Sequence, residues 1–434
     1  MFLYAVLLLL FTNSAVAIQS MSAIDVYSQE ERRVPIAIVT PIGPDFGILG
    51  SVSNIISEDL GSTAKFTPFQ RNIDTLPTGT DSLHNILTNF RSSNMDNVAL
   101  LSINAGNEDN SYIIKMSLYD VFSEGIIIEK KYSIASTGAR KAAHIIADVI
   151  MLSLIGHEGD FNTKLIYVDE FGYGQKNNVR KLAVVDRDGY NQRYLTSSGL
   201  AMTPVYSIAK KSIFYSEFTG GVPRINILDV VSGTIADLSK TYPSLLSYKL
   251  ISPSVSQDGN NLVFTILQEN NANIYNLDFT TNQFTKLTNS GLNVSSCFSP
   301  DGTHITYTTN IDGKPAIYIM ASNGWNTHRI TFERGHYMEP EWSPNGEWIA
   351  FTRLLNNIFS IGIIRPDGKD ERILYSGYDA EGPTWSPSST QIAFSFREKN
   401  DKKAKIKIID LKGHELRILD TPGNASDVTW VKIE

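Results

Sequence analysis

Apolar residues along this chain change their spacing near residue 156, and with it the kind of element they can build. Residues 34–40 (Val34-Pro-Ile-Ala-Ile-Val-Thr40) read as a buried strand, and over residues 48–60 the apolar positions Ile48, Leu49, Val52, Ile55, Ile56 and Leu60 recur at helical spacing. Strand-like runs return at 98–103, 112–121 and 125–134. A helix over Ala139–Ile155 follows, with Ala142, Ile145, Ile146, Val149 and Leu152 or Ser153 expected along its buried side. Together these elements predict a small α/β domain over residues 34–160. After Gly156-His-Glu-Gly159 the helical period stops, and short β-runs separated by Gly, Asn, Asp and Pro continue to the end of the chain.

The second region repeats itself. Its clearest units are Ser254-Val-Ser-Gln-Asp-Gly259, Cys297-Phe-Ser-Pro-Asp-Gly302, Glu341-Trp-Ser-Pro-Asn-Gly346 and Thr384-Trp-Ser-Pro-Ser-Ser389, whose serines stand at 256, 299, 343 and 386. A period near 44 residues belongs to the blades of a β-propeller, and the 271 residues from 164 to 434 hold about six of them. Each unit reads as four strands. Between the first two, proline presets φ at the first corner of a turn and Asp-Gly or Asn-Gly accepts a positive φ at the second. The aromatic before the serine (Phe298, Trp342, Trp385) suits the wedge between neighbouring sheets.

Lys164-Leu-Ile-Tyr-Val168 matches a second strand, and no inner strand precedes it. At the far end Val428-Thr-Trp430 aligns with Pro383-Thr-Trp385, with no second strand after it. The C-terminal strand is therefore expected to complete the first blade and close the ring, removing the open sheet edges of an arc. The fold class is multidomain, a small N-terminal α/β domain followed by a six-bladed all-β propeller over residues 164–434.

Residues 1–17 carry a short apolar core ending in Ala15-Val-Ala17, the pattern of a cleaved export signal, and residues 18–33 form a polar arm with one apolar patch at Ile24, Asp25 and Val26. A formal charge of −7, with no long Lys/Arg run, argues against nucleic acid as a partner. Cys297 is the only cysteine, so no intramolecular disulfide can form, and a small buried strand residue is the expected role.

Catalytic signatures are missing from the sequence: there is no Gly-x-Ser-x-Gly elbow and no His-Glu-x-x-His, and the seven histidines lack metal-ligand spacing. Asp186-Arg-Asp188-Gly-Tyr-Asn191 is expected to be a hairpin turn rather than a calcium loop, because no acid follows at the twelfth position. The repeated Asp and Asn are turn residues by the same logic, so function is sought in the loops that break the repeat. Those leading into the inner strands contribute Lys249, Asn293, His336, Tyr337, Met338, Glu339, Asp379 and Glu381, a mixture that suits protein recognition as well as it suits ordinary solvated loops. A hydrolase would instead need paired carboxylates in the channel, for which Glu341 and Glu381 are the candidates; a small-ligand sensor is a third reading.

The export signal, the α/β domain, Leu182-Ala-Val-Val-Asp-Arg-Asp-Gly-Tyr-Asn-Gln192 at the opening of the propeller and the Phe/Trp-Ser-Pro-Asp-Gly blades, in this order, resemble the TolB family of the Tol–Pal system of Gram-negative bacteria. The resemblance implies a non-enzymatic, monomeric periplasmic adaptor, reaching membranes only through protein partners. It implies that the channel mouth binds the peptidoglycan-associated lipoprotein and that the arm, residues 18–33, engages TolA. It further implies a role in outer-membrane invagination at division and in outer-membrane integrity, and it allows a cation in the channel without naming ligands. No cofactor is expected.

Overall fold

The computed structural model describes residues 32–43, 46–106, 110–172 and 178–433. The export signal and Ile24, Asp25 and Val26 of the arm lie outside them. The described residues form two compact units that divide between Thr163 and Lys164.

In the first unit the sequence alternates with period two in β1 (Val34–Pro41), sending Ile36 and Ile38 to one face and Ala37 and Val39 to the other, all fully buried. A strand apolar on both sides needs cover on both. It receives α1 (Phe46–Ser62), with Leu49, Val52, Ile56 and Leu60 on the first face. After β2 (Phe66–Ile73), helix α2 (Thr80–Ser92) places Leu87 and Phe90 on the second. Then come β3 (Asn97–Ala105), β4 (Ser111–Asp120), β5 (Ile126–Ala135) and α3 (Ala139–Ile155), giving a five-stranded sheet in the order β2-β1-β3-β4-β5. The pairs β1–β2 and β1–β3 are parallel, as the crossover helices require, and β3-β4-β5 is an antiparallel meander.

The inward side of helix α3 overlaps the one its spacing suggested at Ala142, Ile146 and Val149, but is rotated toward its alanines. Ala142, Ala143, Ile146, Ala147, Ile150 and Met151 are buried, whereas Leu152 is exposed. Small alanines let α3 approach α1 closely, and the buried His144 Nδ1 meets Asp59 Oδ2 of α1 at 2.6 Å. Gly156, at φ 96°, ends the helix in the left-handed conformation that favours glycine. Beyond it, the backbone N–H groups of Gly159 and Phe161 donate to Asp148 Oδ1 at 3.0 and 3.1 Å.

The second unit is six four-stranded antiparallel sheets, a six-bladed propeller. We number the blades I to VI. Blade I takes its inner strand, Asn424–Val431, from the C-terminus: it pairs with Lys164–Phe171 in the register Trp430 with Leu165 and Val431 with Lys164, closing the ring. The other inner strands are Ala201–Ser207, Lys249–Val255, Asn293–Phe298, His336–Trp342 and Asp379–Trp385. The repeated aromatics pack where blades meet: Trp385 lies in one cluster with Trp348, Ile363 and Phe394, and Trp430 in another with Tyr167 and Ile408.

The Ser-Pro-Asp-Gly repeat is a turn with its own hydrogen-bond set. The hydroxyls of Ser256, Ser299 and Ser343 donate to Asp258, Asp301 and Asn345 at 2.6, 2.5 and 2.7 Å, and each accepts the N–H five residues on, at 2.9 Å. In blade VI, Ser389 takes the glycine's place at φ 63°. The Asp186–Asn191 stretch is likewise a hairpin turn, with Gly189 at φ 93° and the Asp186 N–H bonded to Tyr190 O.

Candidate functional site: the propeller channel and its mouth

Each inner strand runs from the mouth, where second-to-third and fourth-to-first connections emerge, to the opposite end, where the Ser-Pro-Asp-Gly turns sit. Part-way along, every inner strand has a register shift against its neighbour. At the shift stands one left-handed residue: Thr203, Ser252, Ser295, Glu339 and Asp427 at φ 46, 53, 53, 52 and 50°, and Gly382 at 63°. A bulge of this kind adds a residue, bends the strand and re-aims its side chains. A non-glycine residue there costs about 1–2 kcal/mol in backbone energy, so five of the six must be held by what surrounds them.

Hydrogen bonds between blades supply that support. Two positions beyond the bulge, Ser254 Oγ, Glu341 Oε1 and Thr384 Oγ1 accept the backbone N–H of the next blade's aromatic, Phe298, Trp385 and Trp430, at 3.4, 3.1 and 3.1 Å. Cys297 holds the same place in blade IV, with the Trp342 N–H directed at its sulfur. At the closure Thr429 Oγ1 donates to Pro204 O at 2.5 Å. At the bulge itself Glu339 Oε2 accepts from Gly382 N and from Thr352 Oγ1, both at 2.8 Å.

The inner strands enclose a cavity of about 320 Å³ lined by all six of them, among others by Thr203, Ser252, Ser296, Glu339, Glu341 and Asp427. Its acids differ in their surroundings. Asp427 is paired with the buried Arg180 guanidinium at 2.8 Å. Among the described residues no Lys or Arg pairs with Glu339 or Glu341. Burial in the narrow channel pushes the Glu341 carboxyl up to about 7, and burial together with the neighbouring Glu381 pushes Glu339 upward as well. Burial and then the Glu341 charge push the Cys297 thiol up to about 12, which leaves it a neutral, poor nucleophile.

Several residues expected in mouth loops lie instead in the inner strands. His336, Tyr337, Met338 and Glu339 all belong to His336–Trp342, Lys249 and Asn293 begin their strands, and Asp379 and Glu381 belong to Asp379–Trp385. The bulge misleads the reading, because a left-handed residue followed by proline (Glu339-Pro340, Gly382-Pro383) looks like the start of a strand rather than its middle. Tyr337 is 0% and Asn293 2% exposed, and Met338 is buried too, so none of the three offers surface to a partner. Tyr337 bonds Glu371, and Asn293 Nδ2 donates to Ala272 O. Lys249 is exposed, His336 is partly exposed, and Asp379 is bound to Arg397 at 2.9 Å. Glu341, one of the two acids a hydrolase would use, accepts from Thr384 and Trp385 and serves as an inter-blade latch.

Exposed at the mouth are Phe332, 71% exposed and under Arg329, Tyr378, 50% exposed and under Arg397, the loop residues Leu246 and Ile311, and Ile358 at the first position of the strand Ile358–Ile364; of these only Tyr378 falls in a loop that the repeat marks, Tyr378-Asp-Ala-Glu381. Phe332, Tyr378 and Ile311 are single apolar residues inside polar connections, whereas Leu246 and Ile358 adjoin Leu245 and Phe359.

Residues 152–434 match the family described as TolB beta propeller domain, and residues 22–127 match TolB amino-terminal domain. A Tol-Pal system protein TolB of Gluconobacter oxydans is 31% identical over 413 residues, 92% of this chain and 87% of that protein. The chain belongs to the TolB family. Another relative, the Tol-Pal system protein TolB of Wolbachia sp. from Drosophila simulans, is 31% identical over 320 residues, 73% of this chain and 75% of its own. The crystal structure of TolB from Acinetobacter baumannii superposes with a TM-score of 0.79 at 23% identity, covering 92% of this chain and 97% of that one, a likeness of fold.

The cation that the TolB resemblance allows meets the right sign of charge in the channel. Chelation is another matter. Among the described residues, no three carboxylate, imidazole or thiol ligand atoms of this channel lie within 4.8 Å of one another, so its side chains offer no cluster of the kind a zinc site needs.

Proposed function

We propose that this protein is a non-enzymatic periplasmic adaptor of the Tol–Pal system, whose propeller mouth docks the peptidoglycan-associated lipoprotein and whose N-terminal arm, residues 18–33 with Ile24, Asp25 and Val26, engages TolA. In this role it supports outer-membrane invagination during division and outer-membrane integrity. Membership of the TolB family supports the reading, and so do the relatives named for the Tol–Pal system. The observation that carries it is the mouth: Phe332, Tyr378 and Ile311 are exposed on the connections of blades IV to VI, and Ile358 at the start of a strand of blade V, around a closed ring. Exposed aromatic and aliphatic anchors beside arginines are the composition of a protein-docking surface. The channel acids, by contrast, are engaged in holding one blade to the next, which favours binding over hydrolysis.

Capture of the purified soluble domain of the lipoprotein tests the reading. Binding by the mature chain, weakened at least tenfold in Phe332→Ala/Tyr378→Ala, is expected. Failure of both the mature chain and a chain lacking residues 18–33 to capture it would end this assignment.

A further inference from the structure

The sheets of this protein end in edges of unequal kind. Around the propeller the outermost strand of each blade holds only two to six residues, and the two longest, Arg372–Gly377 and Glu415–Leu419, meet their neighbours through a register shift. Shortness and bulges keep a sheet edge from pairing with another chain. In the α/β unit one edge, β2, contains Pro68, which has no N–H to offer. The other edge is β5 (Ile126–Ala135), ten residues without a proline. Among the described residues it pairs with β4 on one side and with no strand on the other. Its register shift lies at the first residues, so residues 128–135 run unbroken.

The side chains of β5 say what could lie against it. Ile128, Tyr132 and Ile134 pack on the core and hold the strand in the sheet, while Ile126, Ile127, Glu129, Lys130, Lys131 and Ser133 are exposed. Lys131 stands directly opposite Lys115 of β4, and like charges so placed repel. Glu129 is the one acid of the strand, and its Oε2 is taken by Lys115 Nζ and Ser117 Oγ, each at 2.9 Å. Neither Lys130 nor Lys131 has an ion pair among the described residues. In a chain of formal charge −7, this edge is basic on balance. A carboxylate on a strand laid against β5 would stand beside Lys131 on its open side and offset that repulsion. A second copy of the chain would not, because two-fold pairing about the middle of β5 sets Lys130 or Lys131 against itself.

We infer that β5 receives an extended acidic segment of a protein partner, which adds a sixth strand to the α/β sheet. Backbone hydrogen bonds supply the attachment and side chains the selectivity. Successive residues of a strand face opposite sides, so two adjacent acids answer Lys130 and Lys131 together. The probe is a fluorescein-labelled peptide, Thr-Val-Thr-Val-Glu-Glu-Val-Thr-Val-Thr, followed by anisotropy with the mature chain. Two controls accompany it: one carries Lys-Lys in place of Glu-Glu, and the other keeps both acids but has proline at every valine, which removes backbone donors. Saturable binding of the first peptide is expected, with both controls at least tenfold weaker, and amides of residues 126–135 are expected to gain protection in hydrogen exchange. Lys130→Glu/Lys131→Glu turns attractive cross-strand pairs into repulsive ones and is expected to weaken binding about tenfold. Neither lysine holds an ion pair in the fold, so this variant is expected to melt no lower than the parent. No binding, equal binding of the proline control, protection elsewhere than β5, or affinity unchanged in the lysine variant would overturn the inference. So would a dimer of the parent in sedimentation that the lysine variant dissolves, which would give the edge to a second copy.

Discussion

The two ends of a blade treat a carboxylate in opposite ways. In the solvent-facing turn, Asp301 is surrounded by donors: the Ser299 hydroxyl first, then the Thr303 N–H and hydroxyl, hold its carboxyl down at about 2. In the channel, Glu341 accepts from Trp385 and Thr384, and burial still wins, carrying it up to about 7. Both acids have hydrogen-bond donors, so donors alone do not decide the outcome. Removal of water does, because desolvation penalises the charged form by more than two neutral donors return. Both acids make structure, the turn with a charged carboxylate and the channel with a latch that burial pushes toward the neutral form.

The largest test of this contrast removes the channel itself. Deleting residues 427–434 takes away Val428, Trp430 and Val431, all buried, each contributing about 1.5–3 kcal/mol of burial, and reopens the sheet edge at Lys164–Phe171. A chain with a stability of about 5–15 kcal/mol is expected to lose its cooperative melt. Melting at the parent temperature, followed by near-ultraviolet circular dichroism, would show that the ring does not depend on this strand. Next in size, Trp385→Ala empties the wedge between blades V and VI and is expected to cost about 3–5 kcal/mol in denaturant unfolding.

The pH dependence is expected to be smaller and opposite in sign at the two ends. Glu341 has a folded value raised from 4.5 to about 7. The native state thus binds more protons than the unfolded one between those values, and stability falls as pH rises from about 4.5 to 7. Glu341→Gln is expected to flatten that slope in melts at pH 5, 6 and 7.5; an unchanged slope would place the titration elsewhere. Asp301 is the reverse, its value depressed from 3.8 to about 2, so its contribution is present above pH 3.8 and lost as pH falls through 2. The smallest expected effect is Asp301→Asn at neutral pH, within about 0.5 kcal/mol, because blade V already makes the same turn with Asn345 accepting from Ser343. A loss above about 1.5 kcal/mol would mean that the charge, not the acceptor, holds the turn.

What could be read from the sequence follows what is local. The turns were legible because Ser, Pro, Asp and Gly act within six residues of one another. Strand β2 leaves little to read, because in Phe66–Ile73 only Phe66 is buried; helix α2 is different, since Leu83, Ile86, Leu87 and Phe90 recur at helical spacing and were left unread. The side of α3 that faces inward is only partly legible, at Ala142, Ile146 and Val149, because alanines such as Ala143 and Ala147 carry little hydropathic signal yet decide how closely helices approach. Inner strands were read as too short since each bulge breaks the alternation by one residue, which reverses the side every later residue faces.

By itself the sequence determined the small α/β domain, the six blades, the turn at each corner and the closing strand, because period, turn chemistry and a missing first strand are properties of neighbouring residues. Only the tertiary structure decided the channel. Thr203, Ser252, Ser295, Glu339, Gly382 and Asp427 are of five residue types, four of them are followed by proline, and what all six have in common is a left-handed backbone at the bulge of an inner strand. Whether a glutamate is a solvated charge or a carboxyl pushed toward its neutral form depends on walls contributed by strands more than two hundred residues apart, and no local pattern records that distance.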